Sequence, residues 1–271
     1  MQPEAHKIRL VVFDWAGTTV DHGSRAPLVP FVRAFATCGV EITPEEARGP
    51  MGLHKKDHIR ALLQQPTIAG RWRERHGRGA GEADIEELYR IFMPLQLVVI
   101  DEFSNLVPGL LDCVAELRRR NIAIGASTGY FRAAAERLYQ AAALQAYKPD
   151  FCVCAEEVPG GRPAPWMMFR IMEALHIFSP ASVVKVGDTV PDVGEGLSAG
   201  AWSVGVLRTS SEVGCTNEEW DALPRAEQLR RLVICREKLI AAGAHAVVET
   251  LAELPSLLND INNRLGCGEK P

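Results

Sequence analysis

The sequence predicts an α/β protein, a doubly wound parallel sheet carrying an inserted helical domain. Three observations lead there. Short aliphatic, β-branched runs recur along the chain, helix-like stretches separate them, and between about Ser24 and Phe103 the alternation gives way to successive helices. The first run, Ile8 to Phe13 (I-R-L-V-V-F), has the unbroken apolar character of a parallel strand covered on both faces, and it stops at Asp14. Asn121 to Ser127 follows a helical pattern over Gly109 to Arg120. Phe151 to Cys154, Ser182 to Val186, Trp202 to Leu207 and Ala244 to Val248 complete the set of strands. Helix-like stretches at Phe131 to Ala143, Pro165 to Leu175 and Asp192 to Ala199 lie between them. Thr216 and Glu219 form a capping box that opens further helix, and Gly243 is placed to end it before the last strand.

In the interrupted region, Ala26 to Cys38, Pro44 to Ala47, Leu53 to Leu63 and Ala83 to Ile91 read as helices, and Gly77 to Gly81 as a loop. The first strand belongs with the later sheet, so this block is an insertion covering the sheet's carboxyl edge. The expected division is a Rossmann-like catalytic core from residues 1–23 and 104–271, with an all-helical cap over residues 24–103. A chain of 271 residues is long enough for that arrangement.

A net charge of −4 without any basic block argues against affinity for nucleic acid or an anionic membrane, and favours a small soluble substrate. Seven scattered cysteines have no zinc-ribbon spacing and read as reduced thiols. The first seven residues lack the apolar region of a signal peptide, and no apolar run approaches the ~20 residues needed to span a bilayer. The cytoplasm is the expected location.

Open α/β sheets bind ligands beyond the carboxyl ends of their strands. Three such ends are polar here: Asp14-Trp15-Ala16-Gly17-Thr18, Ser127-Thr128-Gly129-Tyr130, and Gly187-Asp188-Thr189-Val190-Pro191-Asp192. Any one alone would be a turn or a helix cap. All three in this order supply the parts of a phosphorus-attacking site: a carboxylate nucleophile (Asp14), a hydroxyl for phosphoryl oxygens (Thr128), and a second carboxylate for a cation (Asp188). Magnesium favours such oxygen ligands, so Asp14, Asp188 and the carbonyl of Ala16 are the expected set, with Asp192 supporting from behind. Arg162, in Pro159-Gly160-Gly161-Arg162-Pro163, is the candidate cation beside the phosphoryl group.

This constellation resembles the haloacid dehalogenase superfamily, whose nucleophilic aspartate, Ser/Thr, basic residue and acidic loop come in this order, with caps inserted after the first motif. Most phosphatases of that superfamily have a second aspartate two positions after the nucleophile, to protonate the leaving alkoxide. Here that position is Ala16, and losing a general acid costs roughly 10²–10⁴ in rate. The leaving group should therefore differ. In Pro50-Met51-Gly52-Leu53-His54-Lys55-Lys56-Asp57-His58, helical geometry puts Lys55 on one face with Ile59 and Leu62, whereas Lys56 falls at the edge beside Arg60. Buried beneath the cap, the Lys55 amine should drop from ~10.4 toward roughly 7–8 and become nucleophilic.

An amine above a phosphorus-attacking aspartate suits a phosphonate bearing an aldehyde, since an iminium accepts the electrons of a breaking carbon–phosphorus bond. The segments D-W-A-G-T-T, P-M-G-L-x-K-x-D-H, T-G-Y, G-R-P-x-P-W and G-D-T-x-x-D narrow the resemblance to the superfamily's phosphonatase branch. That branch implies magnesium-dependent hydrolysis of phosphonoacetaldehyde in 2-aminoethylphosphonate degradation, with Asp14 as nucleophile and Lys55 as Schiff-base lysine. It also implies substrate contacts from Met51, Gly52, Thr128, Tyr130 and Arg162, and a homodimer formed through the cap. His58, at i+3 from Lys55, is either a substrate-binding group that hydrogen-bonds or exchanges protons there or a packed or capping histidine. The alternatives are a phosphatase of the same superfamily acting on an ordinary ester, and a catalytically silent binding protein.

Overall fold

The computed structural model describes residues 7–271, so the sequence reading of the first six residues lies outside the described part. Six parallel strands form one sheet: β1 (Leu10–Phe13), β2 (Ala123–Thr128), β3 (Phe151–Cys154), β4 (Val183–Gly187), β5 (Trp202–Val206) and β6 (Ala246–Val248), in the order β3-β2-β1-β4-β5-β6. All six sequence-predicted strands are present, most of them shortened at one end by one or two residues. β1 pairs with β2 on one side (Phe13 opposite Ala126) and β4 on the other (Phe13 opposite Val186). The connections reverse direction at β1 and β4, which creates the crevice in which doubly wound sheets bind ligands.

Alternating side chains explain why both faces are covered. Val11 and Phe13 pack with residues of α6 (Leu110–Arg119), α7 (Arg132–Leu144) and α12 (Leu254–Gly266). Leu10 and Val12, pointing the other way, pack against Met167, Met168 and Ile171 of α8 (Trp166–Ala174). Further along, α9 (Val190–Ser198) and α11 (Arg225–Ala241) contribute Val193, Leu232 and Leu239 to a third cluster, and the short α10 (Asn217–Ala222) adds Trp220. The helix expected from Asp192 begins two residues earlier because Thr189 caps it, accepting from the Asp192 amide. The Thr216–Glu219 capping box forms as read, and Pro224 separates α10 from α11 within the helical stretch it opens.

Between β1 and α6 lie five helices without a strand: α1 (Leu28–Thr37), α2 (Pro44–Arg48), α3 (Lys55–Gln64), α4 (Pro66–His76) and α5 (Glu82–Val99). They pack on one another through Phe31, Phe35, Ile59, Leu62, Trp72, Leu88 and Phe92. α4 has no counterpart in the sequence reading. Its polar sequence contains Gly70 and buries only Ile68 and Trp72, an i, i+4 pair too sparse to register as a periodic face. α5 continues to Val99, through Pro94, beyond the expected end at Ile91, because Gln96 and Val99 are buried on its far side. The chain's two passages between sheet and helices run side by side, bridged at Val20 and Leu106. Among the described residues, no helix is long and apolar enough to cross a membrane.

Candidate active site

Asp14 follows β1 directly, Thr128 ends β2, and Asp188 follows β4. Because these three strands are neighbours, residues more than 100 positions apart in sequence meet at one sheet edge. α3 closes over them from the cap. Asp14, Ala16, Met51, Gly52, Lys55, Thr128, Gly129, Tyr130 and Arg162 all line one narrow cavity, with Ser24, Pro27 and Thr189 completing it. About 20 Å³ of free volume remains inside, room for little more than a water molecule. A larger cavity of about 370 Å³ lies across Thr128, between α7 and β3, but neither Asp14 nor Lys55 reaches it.

The cap and core meet backbone to backbone. Gly52 has a φ of +93°, and a Cβ there would stand 2.3 Å from Thr189 Oγ1. A Cβ on Gly129 would stand 2.7 Å from the Leu53 carbonyl oxygen, an atom of the backbone that cannot swing aside. Gly129→Ala should therefore hold the cap away from the sheet. The expected result is a fall in kcat/KM on the order of 10²-fold, the scale for about 1 Å of misplacement, with an unchanged unfolding midpoint in urea. Wild-type kcat/KM in that variant would contradict the close approach.

Asp14 is buried, with Oδ1 2.6 Å from Arg162 Nη1. Burial raises its pKa, Arg162 opposes the rise, and the Asp192 charge adds to it. Asp188 is raised well above the usual carboxylate range, first by burial and then by the charges of Asp14 and Asp192. Its Oδ1 accepts from Thr18 Oγ1 at 3.1 Å and its Oδ2 from the Ser211 amide at 2.8 Å. Asp192 behaves differently. Burial pushes it upward, yet Arg162 and Lys185 outweigh that and hold it below the usual range.

Carboxylate oxygens of Asp14, Asp188 and Asp192 all lie within 4.8 Å of one another. Asp14 and Asp192 share Arg162 and Asp192 also has Lys185, whereas Asp188 has no ion-pair partner among the described residues, so the three carboxylates outnumber the two cations beside them. That imbalance, together with an all-oxygen donor set, fits a hard divalent cation such as magnesium. Asp14 and Asp188 are the carboxylates of this group that could hold it.

On the cap side, Lys55 is only 4 % exposed, and burial lowers its amine to about 8, with Asp14 pulling back upward. Its Nζ stands 4.8 Å from the centre of the Tyr130 ring, and burial keeps that phenol in its neutral form. Lys56 turns outward, as its place on the helix requires, and pairs with Glu86 at 2.7 Å. Thr128 Oγ1 accepts from the Tyr130 amide at 3.2 Å, which leaves the hydroxyl proton directed elsewhere. Met51 lines the cavity wall and is buried.

His58 differs from expectation, since it does not line the cavity. Its ring stacks on Phe31 at 3.9 Å between centroids, and Nε2 donates to the Ala47 carbonyl at 2.8 Å. Burial lowers its pKa well below the usual value, so it is a neutral packing residue of the helical layer. One turn from Lys55 along α3, it projects into the apolar helix interface instead of toward the sheet.

Sequence reasoning also missed a set of buried charges. Lys185 and Glu195 are fully buried 3.2 Å apart, and both reach Ser127 Oγ. A lysine inside V-V-K-V-G and a glutamate between Gly194 and Gly196 were the available signals.

The haloacid dehalogenase-like hydrolase family matches residues 8–200. A protein of Syntrophobacter fumaroxidans named phosphonoacetaldehyde hydrolase is 43% identical over 270 residues, covering 100% of this chain and 98% of that one. One of the same name from Klebsiella pneumoniae is 46% identical over 268 residues, covering 98% of this chain and 100% of its own. The crystal structure of a phosphonoacetaldehyde hydrolase like protein from Oleispira antarctica superimposes with a TM-score of 0.96 at 38% identity, over 98% of this chain and 97% of that one. With its sheet order, its strand-end residues and these full-length similarities in agreement, the chain belongs to the haloacid dehalogenase-like hydrolase family.

Proposed function

We propose that this protein hydrolyses the carbon–phosphorus bond of phosphonoacetaldehyde, giving acetaldehyde and phosphate. The observation that carries the reading is a buried lysine, Lys55, lowered to about 8, in the same cavity as Asp14 and with an alanine at position 16. Relatives over the full length that bear the name phosphonoacetaldehyde hydrolase support it.

The neutral Lys55 amine adds to the aldehyde carbon, water leaves, and a protonated imine forms. Asp14 then attacks phosphorus. The electrons of the carbon–phosphorus bond move into the iminium and leave a neutral enamine, so no acid is needed at position 16. Protonation of the enamine carbon and addition of water to the imine release acetaldehyde and free Lys55. A second water cleaves the aspartyl phosphate. One water is consumed overall, because condensation with Lys55 releases one. A magnesium ion held by Asp14, Ala16 and Asp188 supplies charge neutralisation when bound. Thr128 donates to a phosphoryl oxygen, Arg162 neutralises the group, and Tyr130, Met51 and Gly52 enclose the aldehyde end. Residues 24–103 act as a cap that opens for entry, because the closed cavity is too small for the substrate. We further propose that the protein is a cytoplasmic homodimer associated through the cap, acting in 2-aminoethylphosphonate degradation.

Borohydride reduction with phosphonoacetaldehyde, then peptide mass mapping, tests the reading. Adduct on Lys55, lost in Lys55→Arg, is expected. Adduct on Lys56, or none, overturns the imine route. Phosphate-ester turnover exceeding phosphonate turnover would instead favour an ordinary phosphatase.

A further inference from the structure

Arg162 is held on all three of its guanidinium nitrogens. Nη1 faces the reaction centre, 2.6 Å from Asp14 Oδ1 and 2.9 Å from Asp192 Oδ1. The other two nitrogens are turned away from the cavity. Nε donates to Glu195 Oε2 at 2.9 Å, and Nη2 donates to both the carbonyl and the hydroxyl of Ser127, each at 2.8 Å. An arginine fixed in this way cannot reach for its ligand, so its usefulness depends on what sets its plane.

Elimination gives the hydrogen-bond directions behind it. Ser127 Oγ accepts from Arg162 Nη2 and from Lys185 Nζ at 3.1 Å, so its single proton goes to Glu195 Oε2 at 2.9 Å. Glu195 Oε2 therefore collects Arg162, Ser127 and Lys185, the last at 3.2 Å, whereas Oε1 has no partner among the described residues. Lys185 Nζ also lies 3.0 Å from Asp192 Oδ1 and so ties both acids of α9 to β4. Neither Glu195 nor Lys185 lines the cavity. A buried ion pair that touches no substrate costs desolvation, and apolar residues of similar size would serve stability as well or better.

We propose that Glu195 and Lys185 are positioning residues, a carboxylate–ammonium pair that, with Ser127, fixes the plane of Arg162 so that Nη1 alone addresses Asp14 and the phosphoryl oxygens. The inference rests on the proposed reaction only in assigning the phosphoryl group to that side of the cavity.

Glu195→Gln keeps the shape and removes the charge. In that protein kcat should fall about 10–100-fold, as for other groups that orient an active-site ligand, and KM should rise by no more than about tenfold, while the rate of borohydride trapping at Lys55 at saturating aldehyde stays within about twofold of wild type. Calorimetric affinity for inorganic phosphate, with magnesium present, should fall about tenfold. Lys185→Met should lower the melting temperature, and adding Glu195→Gln to it should restore most of that loss without restoring kcat. Turnover within twofold of wild type in Glu195→Gln overturns the proposal. So does a parallel fall of kcat, trapping and melting temperature, which marks a merely structural pair. Phosphate affinity is read without turnover, so its fall in Glu195→Gln upholds the positioning even if wild-type protein gives no Lys55 adduct, an outcome that overturns the reaction instead.

Discussion

Asp14→Asn should lower kcat with phosphonoacetaldehyde by about 10⁴-fold or more, the scale on which removing a covalent nucleophile acts. Asparagine is nearly isosteric, so Arg162, 2.6 Å away, keeps an acceptor and the cavity keeps its shape. The variant separates two steps. Lys55 condenses with the aldehyde before Asp14 acts, so borohydride should still trap the adduct in Asp14→Asn, and in larger amount at steady state because nothing drains the imine forward. Turnover within tenfold of wild type would remove Asp14 from the role of nucleophile. Loss of trapping together with turnover would show that the carboxylate is required earlier, for binding or for condensation.

That Asp14 could be picked out at all reflects how parallel sheets are written in sequence. An aliphatic run covered on both faces has no polar alternation, so the polar residues that close it mark the carboxyl edge, and Asp14, the Ser127-Thr128 pair and Asp188 were legible for that reason. Lys55 was legible through helical phase, since the two residues on its face had to be buried if it was, and Ile59 and Leu62 are 0 % exposed. The same phase argument could not resolve His58. At i+3 from Lys55 it belongs to the buried side of α3, but whether that side faces Phe31 or the sheet depends on packing between helices distant in sequence.

The charge pair behind Arg162 was illegible for a related reason. Lys185 sits where strand patterning demands an apolar residue, and its meaning depends on Glu195 and Ser127, which the fold brings together from α9 and β2. The polar helix α4 was lost because it buries only two large side chains. α12 carries a regular stripe of Leu254, Leu258, Ile261 and Leu265, yet it comes after the last strand and has no role at the site, so motif-led reading passed over it.

Lys55→Met should abolish turnover and at the same time stabilise the protein. The Lys55 amine falls from 10.5 to about 8 because its cavity disfavours the charged form, and that difference corresponds to about 3 kcal/mol held against the folded state. The sign comes from linkage. A lysine lowered on folding binds a proton more weakly in the native protein than in the unfolded chain, so its penalty is fully present below pH ~8 and shrinks as pH rises from there toward ~10.5. Methionine fills a similar volume without a charge, so urea unfolding at pH 7 should show a gain of about 2–3 kcal/mol, narrowing at pH 10. Activity should track the same group in the opposite sense: the rate of adduct trapping in wild-type protein should climb with pH to a midpoint near 8 and then level, whereas an exposed lysine would still be climbing at 10. Equal or lower stability of Lys55→Met at pH 7 would mean that the ammonium is well solvated or well paired in the folded protein, and the argument for a nucleophilic amine would lose its physical basis. A gain in stability coupled to loss of activity is the expected mark of a group kept for chemistry at the expense of folding.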